Sequence, residues 1–182
     1  MRPAHRVVFT GVKMTEAAQV EQSAAAADFA RFMRVALEAA RRGMLAGEPP
    51  VGACLVRGAE IVATQGNAVI GELDITAHAE IRVIREACRE LRRLELSGCT
   101  LFVTVEPCQM CLAACHYAGI DRIVYGASIA DMHAVTGREL AGSVIAGEQG
   151  SSALQLSGGC LAEECRALLV AWAGGFSQGH AD

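Results

Sequence analysis

The chain has 182 residues, 52% of them apolar, with 16 basic and 20 acidic side chains for a formal net charge of −4. That length and apolar content describe one folded domain, not a disordered segment, and the charge balance gives no general attraction to nucleic acid or to an anionic membrane. No apolar run reaches bilayer length, and the eight cysteines follow no secretory signal, so a soluble chain in a reducing cytoplasm is expected.

Residues 1–23 lack sustained periodicity and are expected as a tail, with Met14 an alternative start to Met1. From Ala24 the pattern changes. Phe29, Phe32, Met33, Ala36, Leu37, Ala40 and Met44 recur at three- and four-residue steps, predicting an amphipathic helix that ends between Gly43 and Gly47. Pro49-Pro50 stops it. Val51 to Val56 and Ile61 to Thr64 then read as a hairpin turning at Arg57-Gly58-Ala59-Glu60. A polar loop from Asn67 to Thr76 leads into a second helix starting near His78. Its Arg82, Arg85, Arg89, Arg92 and Arg93 alternate with Glu86, Glu90 and Glu95, which predicts a solvated, ion-paired face in preference to a phosphate-binding stripe.

Thr100 to Val105 is an apolar, β-branched strand that delivers Glu106-Pro107-Cys108, and a third helix should run from the cysteines to about Ala118. Ile120 to Gly126 reads as another strand. Ala130 to Gly150 is interrupted by four glycines and reads as an irregular rim or a short helix. Ala153 to Leu156 reads as a short strand. Leu161, Cys165, Leu168, Leu169 and Trp172 mark a closing helix, within a single domain over 24–173 followed by a tail at 174–182. Helices alternating with strands, without repeats, predict an α/β fold: three layers around one central mixed sheet, with a leading hairpin and later parallel strands.

Two stretches carry chemistry: His78-Ala79-Glu80 and Glu106-Pro107-Cys108-Gln109-Met110-Cys111. Cys108 and Cys111 are a helical turn apart and can aim two thiolates at one centre, while His78 adds an imidazole from another segment. Three such ligands suit Zn2+. A structural zinc would close with a fourth Cys or His; a catalytic one leaves that position to water, and here the neighbouring group is Glu80, placed to move a proton. Alone, C-x-x-C also fits a redox pair or a closed zinc knuckle. Cys115, four residues after Cys111, is either a third thiolate or a small buried core thiol. His116 and His133 have no partners at diagnostic spacing.

The pattern H-x-E followed by P-C-x-x-C is the known signature of zinc deaminases. Pro50-Val51-Gly52-Ala53, Asn67, Asp74-Ile75-Thr76-Ala77-His78-Ala79-Glu80, Val105 to Cys111 and Arg122-Ile123-Val124-Tyr125-Gly126 stand in the order of the cytidine deaminase-like superfamily. Within it, the chain resembles the branch holding guanine deaminases and bacterial tRNA adenosine deaminases. That resemblance implies zinc on His78, Cys108 and Cys111, Glu80 as proton shuttle, Asn67 as a hydrogen-bond partner of the base, backbone groups of the Ala79 and Cys108 region lining the site, and a homodimer.

For substrate, Arg85 to Leu91 and Leu96-Ser97-Gly98-Cys99 resemble the guanine deaminase side, and beyond Leu112 the only basic side chains are Arg122, Arg138 and Arg166. The expected reaction is therefore hydrolytic deamination of a small purine or pyrimidine, guanine to xanthine first among them. Glu139 is the nearest acid to the recognition segment of guanine deaminases; it either accepts from purine N–H groups or is an ordinary surface glutamate. Inosine formation in a tRNA anticodon loop is the alternative, and a non-catalytic zinc scaffold the third reading.

Overall fold

The computed structural model describes residues 16–137 and 154–176. Helix α1 spans Glu16–Leu45, starting inside the stretch expected as a tail. The Ala-, Glu- and Gln-rich run there forms helix by intrinsic propensity, which needs no apolar stripe and so left no periodic signal. Further along, Phe32, Met33, Ala36, Leu37 and Ala40 are buried against the sheet. The helix lies so close that a Cβ on Gly52 would sit 2.1 Å from the carbonyl oxygen of Ala36.

Strands β1 (Gly52–Arg57) and β2 (Glu60–Gly66) form the expected hairpin, with Gly58 at φ +62° in its turn and an irregularity between Leu55 and Val56. Helix α2 (Ala79–Leu91) and strand β3 (Cys99–Val105) follow, then helix α3 (Gln109–Tyr117), strand β4 (Arg122–Ala127), helix α4 (Ile129–Thr136), strand β5 (Gln155–Ser157) and helix α5 (Ala162–Phe176). Sheet order is β2-β1-β3-β4-β5. β1 pairs antiparallel with β2 and β3, whereas β3–β4 and β4–β5 are parallel.

Strand alternation divides the core in two. Cys54, Val56, Phe102 and Val124 face α1 and α5, while Ala53, Leu55, Leu101, Val103 and Ile123 face α2 and α3. Phe102 anchors the first half, with its ring centroid 5.4 Å from Phe29 and 5.2 Å from Phe32. Both faces of β1 and β3 are covered, which is why these strands read as continuous apolar runs and not as alternation. This is the three-layer mixed-sheet α/β fold expected.

α4 is the short helix expected as one reading of the stretch from Ala130, stopped by Gly137 in the left-handed conformation. One expectation needs correction. The arginines of α2 do not pair along their own helix: Arg82 pairs with Glu72 at 3.2 Å and Arg85 with Asp74 at 3.7 Å, both from the preceding loop, while Glu86 accepts from Gln65. The loop folds back over the helix and offers nearer partners. No helix among the described residues is long and apolar enough to cross a membrane.

Candidate zinc centre

The chemistry-bearing residues gather at the carboxyl ends of the parallel strands β3 and β4, where open α/β sheets form their crevice. His78 is the N-cap of α2 and Cys108 the N-cap of α3. Both have extended backbones, at φ −65°, ψ 150° and φ −71°, ψ 171°, and neither side chain caps its helix. Ser, Asp or Asn would be the stabilising choice there. Histidine and cysteine forgo that bond and keep their donor atoms for the space between two helix starts, whose positive ends favour anionic ligands.

His78 Nδ1 lies 3.7 Å from Cys108 Sγ and 3.5 Å from Cys111 Sγ, and the three ligand atoms all fall within 4.8 Å of one another. Tetrahedral zinc, with bonds of about 2.0 Å to nitrogen and about 2.3 Å to sulfur, holds such atoms about 3.6 Å apart. The donor set and its spacing fit that ion. Cys108 is the sulfur that ionises first, held down to about 4 by hydrogen bonds from Cys111 and His78; the same pairing, with burial, pushes the Cys111 thiol up. The hydrogen bond to Cys108 raises His78.

Glu80, in the first turn of α2, is 3% exposed, and its Oε2 is buried with no hydrogen-bond partner among the described residues. Desolvation raises its carboxyl above the usual range. It lines a cavity of about 700 Å³ together with His78, Cys108 and Asn67. The walls are mostly aliphatic: Val51, Val69 and Ile75 on one side, Val105, Ile129, Met132 and Val135 on another, with Trp172 of α5 completing them. A buried carboxyl beside a three-ligand metal cluster in an apolar slot can transfer protons to a planar ring with most water excluded.

The model of the cytidine and deoxycytidylate deaminase zinc-binding region matches residues 26–127. The chain belongs to that family. As a member of it, it is 45% identical over 96 residues to the tRNA-specific adenosine deaminase of Aquifex aeolicus, a match covering 53% of this chain and 64% of that relative, just under two thirds of its length. A solved structure from biochemical and structural studies of A-to-I editing by tRNA:A34 deaminases superposes with a TM-score of 0.65 at 37% identity, covering 76% of this chain and 98% of the other. Guanine deaminase from Bacillus subtilis gives 0.56, also at 37% identity, over 58% of this chain and 68% of its own.

In this deaminase-family chain, the structure brings His78, Glu80, Cys108, Cys111 and Asn67 together. Asn67 is 8% exposed, and its backbone N–H donates to Val51 O at 2.9 Å. Ala79 is fully buried as the first residue of α2. Cys115 is buried but stands outside the ligand cluster, its thiol raised by desolvation, which fits the core reading. Glu139 lies outside the described residues.

Two further carboxylates belong to the site without any motif pointing to them. Glu106, which flanks the metal motif, lines the cavity and accepts a hydrogen bond from Ile129 N–H at the start of α4. Glu48 sits buried beneath the cavity's rim loop. A charged residue beside Pro49-Pro50, in a segment otherwise apolar, was the available signal.

Proposed function

We propose that this chain is a zinc-dependent hydrolytic deaminase acting on adenosine in a tRNA anticodon loop, giving inosine and ammonia. The observation that carries the chemistry is the buried, unpartnered Glu80 Oε2 beside the His78–Cys108–Cys111 cluster in one cavity. The substrate rests on similarity to proteins that carry that activity in their names, one of them matched over 98% of its length. This reverses the expected preference for free guanine. That preference rested on the resemblance at Arg85 to Leu91 and Leu96 to Cys99 and on there being only three basic side chains beyond Leu112, whereas RNA is held by local patches that basic residues elsewhere in the chain can supply.

Zinc held by His78, Cys108 and Cys111 supplies Lewis acidity that makes a water nucleophilic near neutral pH. The rest falls to the chain. Glu80 takes a proton from the attacking water and passes it to the adenine ring nitrogen beside the reacting carbon. It then takes the remaining proton from the added hydroxyl and delivers it to the amino group, the C–N bond breaks, ammonia leaves and the carbonyl forms. Burial suits Glu80 to this, because a raised carboxyl holds and releases a proton more evenly near neutrality. Asn67 and the backbone at Ala79 orient the base, and the aliphatic walls grip its faces.

The test is ammonia release and inosine detection with zinc-loaded protein and an anticodon stem-loop, with guanine, cytosine, adenosine and cytidine run in parallel. Turnover of the stem-loop alone is expected. Turnover of guanine alone would transfer the assignment to the second reading, which the Bacillus subtilis structure favours at 37% identity. Stoichiometric zinc without ammonia from any substrate would leave only a scaffold.

A further inference from the structure

The loop between β2 and α2 forms one wall of the cavity through Asn67, Val69, Ile75 and His78, and the segment after α1 forms another through Pro49 and Val51. Glu48 joins them. Only 5% exposed, it accepts a hydrogen bond from the backbone N–H of Ile70 at 3.0 Å through Oε2 and one from Gly71 at 2.6 Å through Oε1. Its own N–H donates to Gly43 O at 3.0 Å, which fixes it to the end of α1. Among the described residues it makes no ion pair.

At its start the loop is tied to the segment after α1 by the backbone N–H of Asn67, which donates to Val51 O at 2.9 Å; its remaining ties run along itself or to α2, Ala68 N to Ala77 O, Thr76 to Asp74, Glu72 to Arg82 and Asp74 to Arg85. Beyond Asn67, those ties close the loop without fixing how far Ile70 and Gly71 stand from the end of α1. The loop is also under backbone strain, with Leu73 at φ +49° and 93% exposed. A strained segment rimming a binding cavity needs an anchor on its inner side.

We infer that Glu48 is a positioning residue that sets the width of the substrate cavity by clamping the Ile70–Gly71 backbone to the end of α1. A carboxylate offers two acceptor oxygens to two N–H groups. A carboxamide offers one, and turns N–H against N–H at the other, so Glu48→Gln releases half of the clamp with little change in volume. The effect falls on substrate binding because Glu48 touches neither the metal ligands nor Glu80.

The inference rests on the deaminase reading, and its test separates the two. In zinc-loaded full-length protein, Glu48→Gln is expected to raise KM for the anticodon stem-loop about tenfold with kcat within about twofold. Zinc stays stoichiometric, and the amides of Ile70 and Gly71 exchange with solvent about tenfold faster. Gly71→Ala attacks the clamp from the exposed side, since its Cβ would lie 3.0 Å from Glu48 Oε1; it should shift KM and the same amides in the same direction. If Glu48→Gln does not fold, Gly71→Ala decides. Unchanged KM and unchanged protection of those amides would overturn the inference, as would lost zinc and kcat at constant KM. A wild-type protein that turns over no substrate defeats the deaminase reading, while amide exchange still decides the clamp.

Discussion

The carboxylate of Glu106 accepts a hydrogen bond from the backbone N–H of Ile129 at 3.0 Å. The end of β3, two residues before Cys108, is thereby tied to the first turn of α4, which supplies Ile129, Met132, Val135 and Thr136 to the cavity. Glu106→Ala leaves that N–H without its acceptor and should cost about 1 to 2 kcal/mol in urea unfolding of the zinc-loaded protein. Exposed Glu164 is the control, where replacement by Ala should fall within about 0.5 kcal/mol.

Glu80→Gln should keep stoichiometric zinc and lose at least about a thousandfold in turnover, because the carboxamide cannot carry the two protons. Metal analysis beside single-turnover kinetics checks both halves. Activity within tenfold of wild type would remove Glu80 from the proton path.

Cys108→Ser and Cys111→Ser should each lose zinc at micromolar chelator concentrations that leave wild type loaded, and unfold at lower temperature, since metal-binding free energy is also folding free energy. Cys115→Ala should retain zinc. Loss of metal from that variant would restore Cys115 to the ligand set.

Gly52→Ala tests the contact between α1 and β1. The new Cβ would meet Ala36 O at 2.1 Å and Ala40 N at 2.5 Å, both backbone atoms that cannot swing away. A loss of about 3 kcal/mol or more is expected by thermal or urea unfolding, despite alanine's mild chemistry.

The Asp131 carboxyl is held below its usual value by hydrogen bonds from Ser128, first the backbone N–H and then the hydroxyl. A depressed folded value stabilises the protein above the unfolded value of about 4, and that contribution disappears as pH falls through the folded value. Asp131→Asn should therefore be less stable than wild type at pH 6, with the gap closing towards pH 2. A gap that persisted at pH 2 would show that the charge is not its source.

Legibility followed the range of the interactions. His78, Glu80, Cys108 and Cys111 could be read directly because helical spacing places each pair on its own first turn, and thiolates with imidazole state their chemistry by type. The hairpin, the parallel strands and the three layers followed from apolar patterning for the same local reason. What could not be read were the pairings between distant segments. The 33 residues from His78 to Cys111 are closed to 3.5 Å only by the crossover from α2 into β3. Arg82 and Arg85 turn to the folded-back loop instead of their helical neighbours, and Glu48 reaches Ile70 and Gly71 across the chain. Residue type and local spacing thus determined the zinc centre and the layers. Only the tertiary structure decided which side chains of α4, α5 and the rim loop enclose it, because a cavity wall is set by where separate elements end in space.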